Sequence, residues 1–163
     1  MSRRLLVVLA ASAATLTIAI ASVTAASPKN FVTPLSAGEE VPANDSLARG
    51  AAIFQLSDDG TEMSYRLIAS NIENILQSHI HIGPAGENGP VVVFLYPDAP
   101  PAVLIPGRHD GVLATGTFTA ADFRGPLAGA SMADLVAALE SGNAYVNVHT
   151  TQLPGGEIRG QLD

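Results

Sequence analysis

From Arg49 onward the sequence is cut into short runs of β-branched, aromatic and alternating residues by turns built of Gly, Pro, Asn and Asp. That punctuation limits the fold more than any other feature, because segments this short cannot supply long helices. Arg49–Leu56 and Glu62–Ala69 flank Ser57-Asp58-Asp59-Gly60 and read as a β-hairpin on an Asp-Gly turn. In the second run Met63, Tyr65 and Leu67 alternate with Glu62, Ser64 and Arg66, giving one buried and one wet face. Ser78–Ile82 reads as a third strand, ended by the loop Gly83–Pro90, and the apolar run Val91–Tyr96 as a fourth. Pro97–Gly111 reads as a long loop, and Val112–Thr119 as a further strand with Gly116 a candidate bulge. Ser131 and Asp134 form a capping-box pattern ahead of Leu135, Val136 and Leu139, and Gly142 stops that helix. Ala144–Thr150 and Glu157–Leu162 close the chain as a second hairpin. The expected architecture is all-β, an antiparallel sandwich or small barrel with one short helix near 131–141.

The composition removes several functions. The 163 residues include no Cys, which excludes a disulfide scaffold, a thiolate metal site and a cysteine nucleophile. Eight Lys and Arg against fifteen Asp and Glu cannot neutralise many phosphates, so no nucleic-acid partner is expected. At 47% hydrophobic and 14% charged residues the chain is too apolar for intrinsic disorder. Arg3 and Arg4, the apolar run Leu5–Val23 and the small residues Thr24-Ala25-Ala26 follow the three-part pattern of a signal peptide over 1–25. A retained membrane anchor is the alternative for that run. Cleavage leaves no stable membrane span, six cations against fifteen anions, and a secreted or periplasmic protein. Its partner is then an extracytoplasmic protein or a metal ion. Residues 26–34 read as a short N-terminal segment and 35–163 as one domain.

The histidines are the chemistry-bearing feature. In His79-Ile80-His81-Ile82 the strand period puts both imidazoles on one face and both isoleucines on the other. Tyr145-Val146-Asn147-Val148-His149 repeats the pattern, with Val146 and Val148 inward and Tyr145, Asn147 and His149 opposite. If the two strands are neighbours, His79, His81 and His149 converge on a site suited to copper or zinc. The leading expectation is a binding or structural module in which these histidines form a polar hydrogen-bond network on a sheet face, with copper or zinc binding the alternative. Glu157 and Arg159 share a face of the last strand. Glu157 is expected either to orient His149 as a carboxylate behind a metal ligand or to pair with Arg159. His109 falls in the polar loop and is expected to be solvated. Glu39-Glu40 has no partner visible in sequence. No Gly-x-Ser-x-Gly elbow, phosphate loop or His-Glu-x-x-His helix is present, so nothing demands an enzyme.

Three blocks carry a family resemblance: Leu35–Pro42, His79–Val92, and Tyr145–Thr150 followed by Pro154–Gln161. Together they resemble the chordin-type (CHRD) domain over about Phe31 to Asp163. That resemblance implies an extracellular or exported single-domain module of the bacterial secreted type. In animals such domains sit in chordin, an antagonist of bone morphogenetic proteins that also carries cysteine-rich modules. The spacing of His79 and His81 is similar to the copper strand of copper/zinc superoxide dismutases. It implies a Greek-key topology, superoxide-dismutase-like or immunoglobulin-like, and raises a dismutase-type oxidoreductase as a further alternative. The chain lacks the disulfide of those enzymes, having no cysteine.

Overall fold

The computed structural model describes residues 29–163. The signal-peptide pattern at 1–25 lies outside the described residues. Seven antiparallel strands make the fold: β1 (Asn30–Ser36), β2 (Arg49–Leu56), β3 (Glu62–Ile82), β4 (Val91–Tyr96), β5 (Ile105–Thr119), β6 (Ala144–Thr150) and β7 (Ile158–Leu162). One helix, α1 (Met132–Glu140), follows β5. It opens where the sequence places it: the Asp134 carboxylate accepts from both the backbone N–H and the hydroxyl of Ser131. It ends before Gly142, whose φ of +67° is the left-handed conformation that favours glycine.

The sheet runs β2-β1-β7-β6-β3-β4, and β2 pairs back onto β3. This closes the sheet into a barrel, because β3 is long enough to serve two neighbours on one edge. Its first half pairs with β2 from Met63↔Leu56 to Ser70↔Arg49. Its second half pairs with β6 from Ile75↔Thr150 to Ile82↔Ala144. On its other edge β3 carries β5 and then β4. The changeover lies at Asn71 and Asn74, both at φ +54°, where the register with β5 slips. Asn tolerates this conformation better than most residues, and Asp110 Oδ1 accepts the freed Asn71 N–H at 2.7 Å.

The core is lined by the inward residues of every strand, among them Phe54, Leu67, Ile80, Val146, Val148 and Ile158, with Leu135 and Leu139 of α1 covering one end. All but a trace of each is removed from water, worth roughly 1.5–3 kcal/mol for a large aliphatic side chain.

Four expectations change here. Glu62–Ala69 and Ser78–Ile82 are ends of one strand, since the two kinked asparagines bend the chain without ending it. The expected loop from Pro97 to Gly111 ends at Leu104; β5 begins at Ile105, so His109 lies on a strand opposite Ile72, half-buried. Gly116 is no bulge: it pairs in register with Tyr65, and a Cβ there would come within 2.9 Å of the Tyr65 ring. The β-domain also opens earlier than Leu35, since β1 from Asn30 is hydrogen-bonded to β2 along its whole length.

A candidate metal centre

β6 pairs directly with the second half of β3, which places His79 opposite Asn147, His81 opposite Tyr145 and Gln77 opposite His149. The expected convergence of the three imidazoles is therefore present. One ring nitrogen from each lies within 4.8 Å of the other two. Ring centroids are separated by 5.0 Å (His79–His149), 5.5 Å (His79–His81) and 6.2 Å (His81–His149). Three imidazoles bound tetrahedrally to one zinc-sized ion, with metal–nitrogen bonds of about 2.0–2.1 Å, would hold their centroids about 5 Å apart.

Backbone carbonyls decide which nitrogens face inward. His81 Nδ1 lies 2.9 Å from Gly89 O, and His149 Nδ1 lies 3.0 Å from Pro154 O. A carbonyl only accepts, so both Nδ1 atoms carry the proton and both Nε2 atoms present a lone pair. His79 Nδ1 is 3.2 Å from His149 Nε2 and therefore donates to it, leaving its own Nε2 bare. His79 Nε2, His81 Nε2 and Asn147 Oδ1 are all buried without a partner. Each is an acceptor, and unpaired buried acceptors cost free energy unless something electron-poor meets them.

The outer face of these strands is polar yet covered: every residue of β6 is buried, and His79, His81 and His149 are 3%, 7% and 6% exposed. Burial, then the neighbouring His149 and His81, push the His79 pKa down to about 3. Burial holds His149 at about 4, partly opposed by the Pro154 carbonyl. His81 is lowered by burial as well, against the Gly89 carbonyl and Asn147. All three rings are thus neutral at pH 7, the state in which imidazole ligates metals.

Arg159 and Tyr145 build the wall. Tyr145 stacks on His81 at 4.7 Å and 8°, and the Arg159 guanidinium lies 3.4 Å above the Tyr145 ring centroid. Arg159 donates to Glu87 O (2.9 Å), Pro84 O (3.1 Å) and Gln161 Oε1 (3.1 Å). It thereby fixes the 83–90 loop that supplies the Gly89 carbonyl to His81. Position 89 has to be glycine, since a Cβ there would fall 1.7 Å from Ile82 O.

Glu157 departs from both expectations. It neither orients His149 nor pairs with Arg159; its carboxylate accepts from Ser46 Oγ and Thr150 Oγ1, each at 2.6 Å. The hydroxyls win because the chain before β2 crosses the barrel at this point, where Asn44 Nδ2 also donates to Glu157 O. Glu157 is a strap between that segment and β6. The carbonyls of Gly89 and Pro154 were invisible to residue-type reasoning, although the Gly- and Pro-rich runs around them marked where backbone approaches closely.

Among the described residues no helix is long and apolar enough to cross a membrane. Comparison with curated proteins and with solved structures returns no match. A family model does match, that of the CHRD domain, over residues 31–162. That span takes in β1 to β7 nearly end to end, with all three histidines and the loops that orient them, and the chain belongs to the CHRD domain family.

Proposed function

We propose that this CHRD protein is an exported metal-binding module whose His79, His81 and His149 hold one copper or zinc ion. The observation that carries the reading is the pair of carbonyl-anchored rings: Gly89 O and Pro154 O fix the Nδ1 tautomer of His81 and His149. Metal-ligating histidines are oriented in this manner, by a hydrogen bond from the nitrogen that does not bind. Three imidazoles, with the Asn147 amide oxygen beside them, form a donor set of borderline softness that suits Cu(II) or Zn(II). The burial of all three rings favours retention of an ion over turnover of a diffusing substrate, so carriage or structural support is preferred to a dismutase-type activity. Export rests on the sequence pattern at 1–25.

The test is elemental analysis and copper and zinc titration of the untagged chain from residue 26. One equivalent is expected, lost in the His79→Ala/His81→Ala double variant and bound at least tenfold more weakly by His149→Ala. Circular dichroism at pH 7 confirms that the variants are folded. Absence of stoichiometric metal, or equal binding by the folded double variant, would return the histidines to a polar network supporting a recognition surface.

A further inference from the structure

Glu40 sits apart from the histidine cluster and is unexplained by it. It follows the short 3-10 turn Ala37–Glu39, is only 5% exposed, and its Oε1 is buried with no hydrogen-bond partner. The carboxylate faces Gly156, where a Cβ would lie 2.3–2.6 Å from its atoms, so the absence of a side chain at 156 makes room for it. Glu40 also lines a cavity of about 420 Å³ whose other walls include Val41, Pro42, Ala43, Leu153 and Pro154. That volume lies within the range of small-molecule sites, which are mostly apolar with a few fixed polar groups.

The amides at the rim are already committed. Asn44 Nδ2 donates to Glu157 O, its Oδ1 accepts from Ser46 N–H, and Asn88 Nδ2 donates to Val41 O. Among the buried side-chain atoms of this lining Glu40 Oε1 is the one without a partner, and it belongs to an acceptor group. A buried carboxyl in an apolar chamber asks for a hydrogen-bond donor, and a cationic donor satisfies both its lone pairs and its charge. An anionic ligand would meet the Glu40 carboxylate and a chain with fifteen acidic against eight basic residues. Among the described residues the cation acting on Glu40 is Arg159, and its guanidinium is occupied by the 83–90 loop and Gln161.

We infer that this cavity is a binding site for a small organic ammonium, its apolar body against Val41, Pro42 and Leu153 and its N–H donated to the Glu40 carboxylate. The site is independent of the metal reading, although Pro154 belongs to both: it lines the cavity and its carbonyl holds His149. Burial raises the Glu40 pKa to about 7, with Arg159 and the Val41 backbone N–H opposing, so ammonium binding strengthens as pH rises from 6 to 8.

Benzylammonium serves as the probe, with benzyl alcohol and benzoate as its neutral and anionic counterparts. Titrations of the purified metal-free protein at pH 8 are followed by amide chemical shifts. Benzylammonium is expected to shift the Leu153, Gly155 and Gly156 amides saturably, with benzyl alcohol weaker and benzoate without effect. Glu40→Gln, nearly the same shape, should weaken benzylammonium roughly tenfold or more. Ala43→Phe, at an exposed rim position, should block binding while leaving Glu40 in place. Equal affinity for the amine and the alcohol, preference for benzoate, or undiminished binding by Glu40→Gln would overturn the assignment. Because no metal is added, the outcome does not depend on the histidine centre.

Discussion

Metal-free protein is expected to lose stability steeply as the pH falls from about 6.5 to 4.5, a loss that starts above the range where ordinary carboxylates protonate. An unfolded chain takes up protons on its histidines near pH 6.5. In the native state burial withholds them from His79 until about pH 3 and from His149 until about pH 4. Between these limits the unfolded state binds more protons, so each of the two histidines lowers stability by about 1.4 kcal/mol per pH unit of acidification. His81, shifted the same way, adds to the loss. Glu40 opposes it: raised from 4.5 to about 7, it binds its proton more readily when folded, and contributes the opposite slope over that interval. The net loss over two pH units is about 3 kcal/mol or more, a large part of the 5–15 kcal/mol that holds a typical domain together. Denaturant melts at pH 7, 6, 5 and 4.5 measure it. His79→Gln with His149→Gln should flatten the dependence, and Glu40→Gln should steepen it. A midpoint that does not move between pH 7 and 5 in the Glu40→Gln variant, where the opposing slope is gone, would show that the rings are hydrated and unshifted.

Replacing Arg159 is the second change with a large expected effect. The side chain is 1% exposed and donates to two backbone carbonyls and the Gln161 amide oxygen while stacking on Tyr145. Arg159→Leu keeps much of the stem but removes the donor from three part-buried acceptors and the cation from the Tyr145 ring. Hydrogen bonds to charged groups are worth roughly 1.5–3 kcal/mol each. A destabilisation of about 3–5 kcal/mol is expected in urea melts. Arg159→Lys should recover little of it, because one ammonium cannot reach Pro84 O, Glu87 O and Gln161 together as the planar fork does. A loss below about 1 kcal/mol for Arg159→Leu would mean that the 83–90 loop holds its shape unaided. Where the loop does move, the Gly89 carbonyl moves with it, so on the proposed reading Arg159→Leu should also weaken metal binding without touching His79, His81 or His149.

Much of the centre was legible because strand periodicity is a strict rule. Once His79-Ile80-His81-Ile82 and Tyr145–His149 are read as strands, the shared face of the imidazoles follows from geometry alone. That the two strands are neighbours did not follow, because pairing between residues so far apart in sequence is set by the closure of the whole barrel. The continuity of β3 was hidden for a local reason: Asn71 and Asn74 look like loop residues and have loop dihedrals, yet pairing resumes on both sides of them. Glu157 misled because opposite charges two residues apart suggest a pair. The nearest donors to its carboxylate are hydroxyls from Ser46 and Thr150, and no pairwise rule along one strand reveals a strap arriving from another segment.

The long strand β3 has a consequence for the order in which the molecule comes into being. Its second half waits for β6, and β7 then joins β6 to β1, so the barrel is sealed only by residues 144–162. Contacts this distant along the chain form slowly, because the intervening loop must close before they are rewarded. His149 arrives on the same segment. A chain emerging from its N-terminus therefore carries His79 and His81 without their third partner until nearly all of it is available. On the proposed metal-binding reading, competence to capture an ion and completion of the fold are reached together, so a prematurely ended or unsealed molecule would leave copper or zinc in solution.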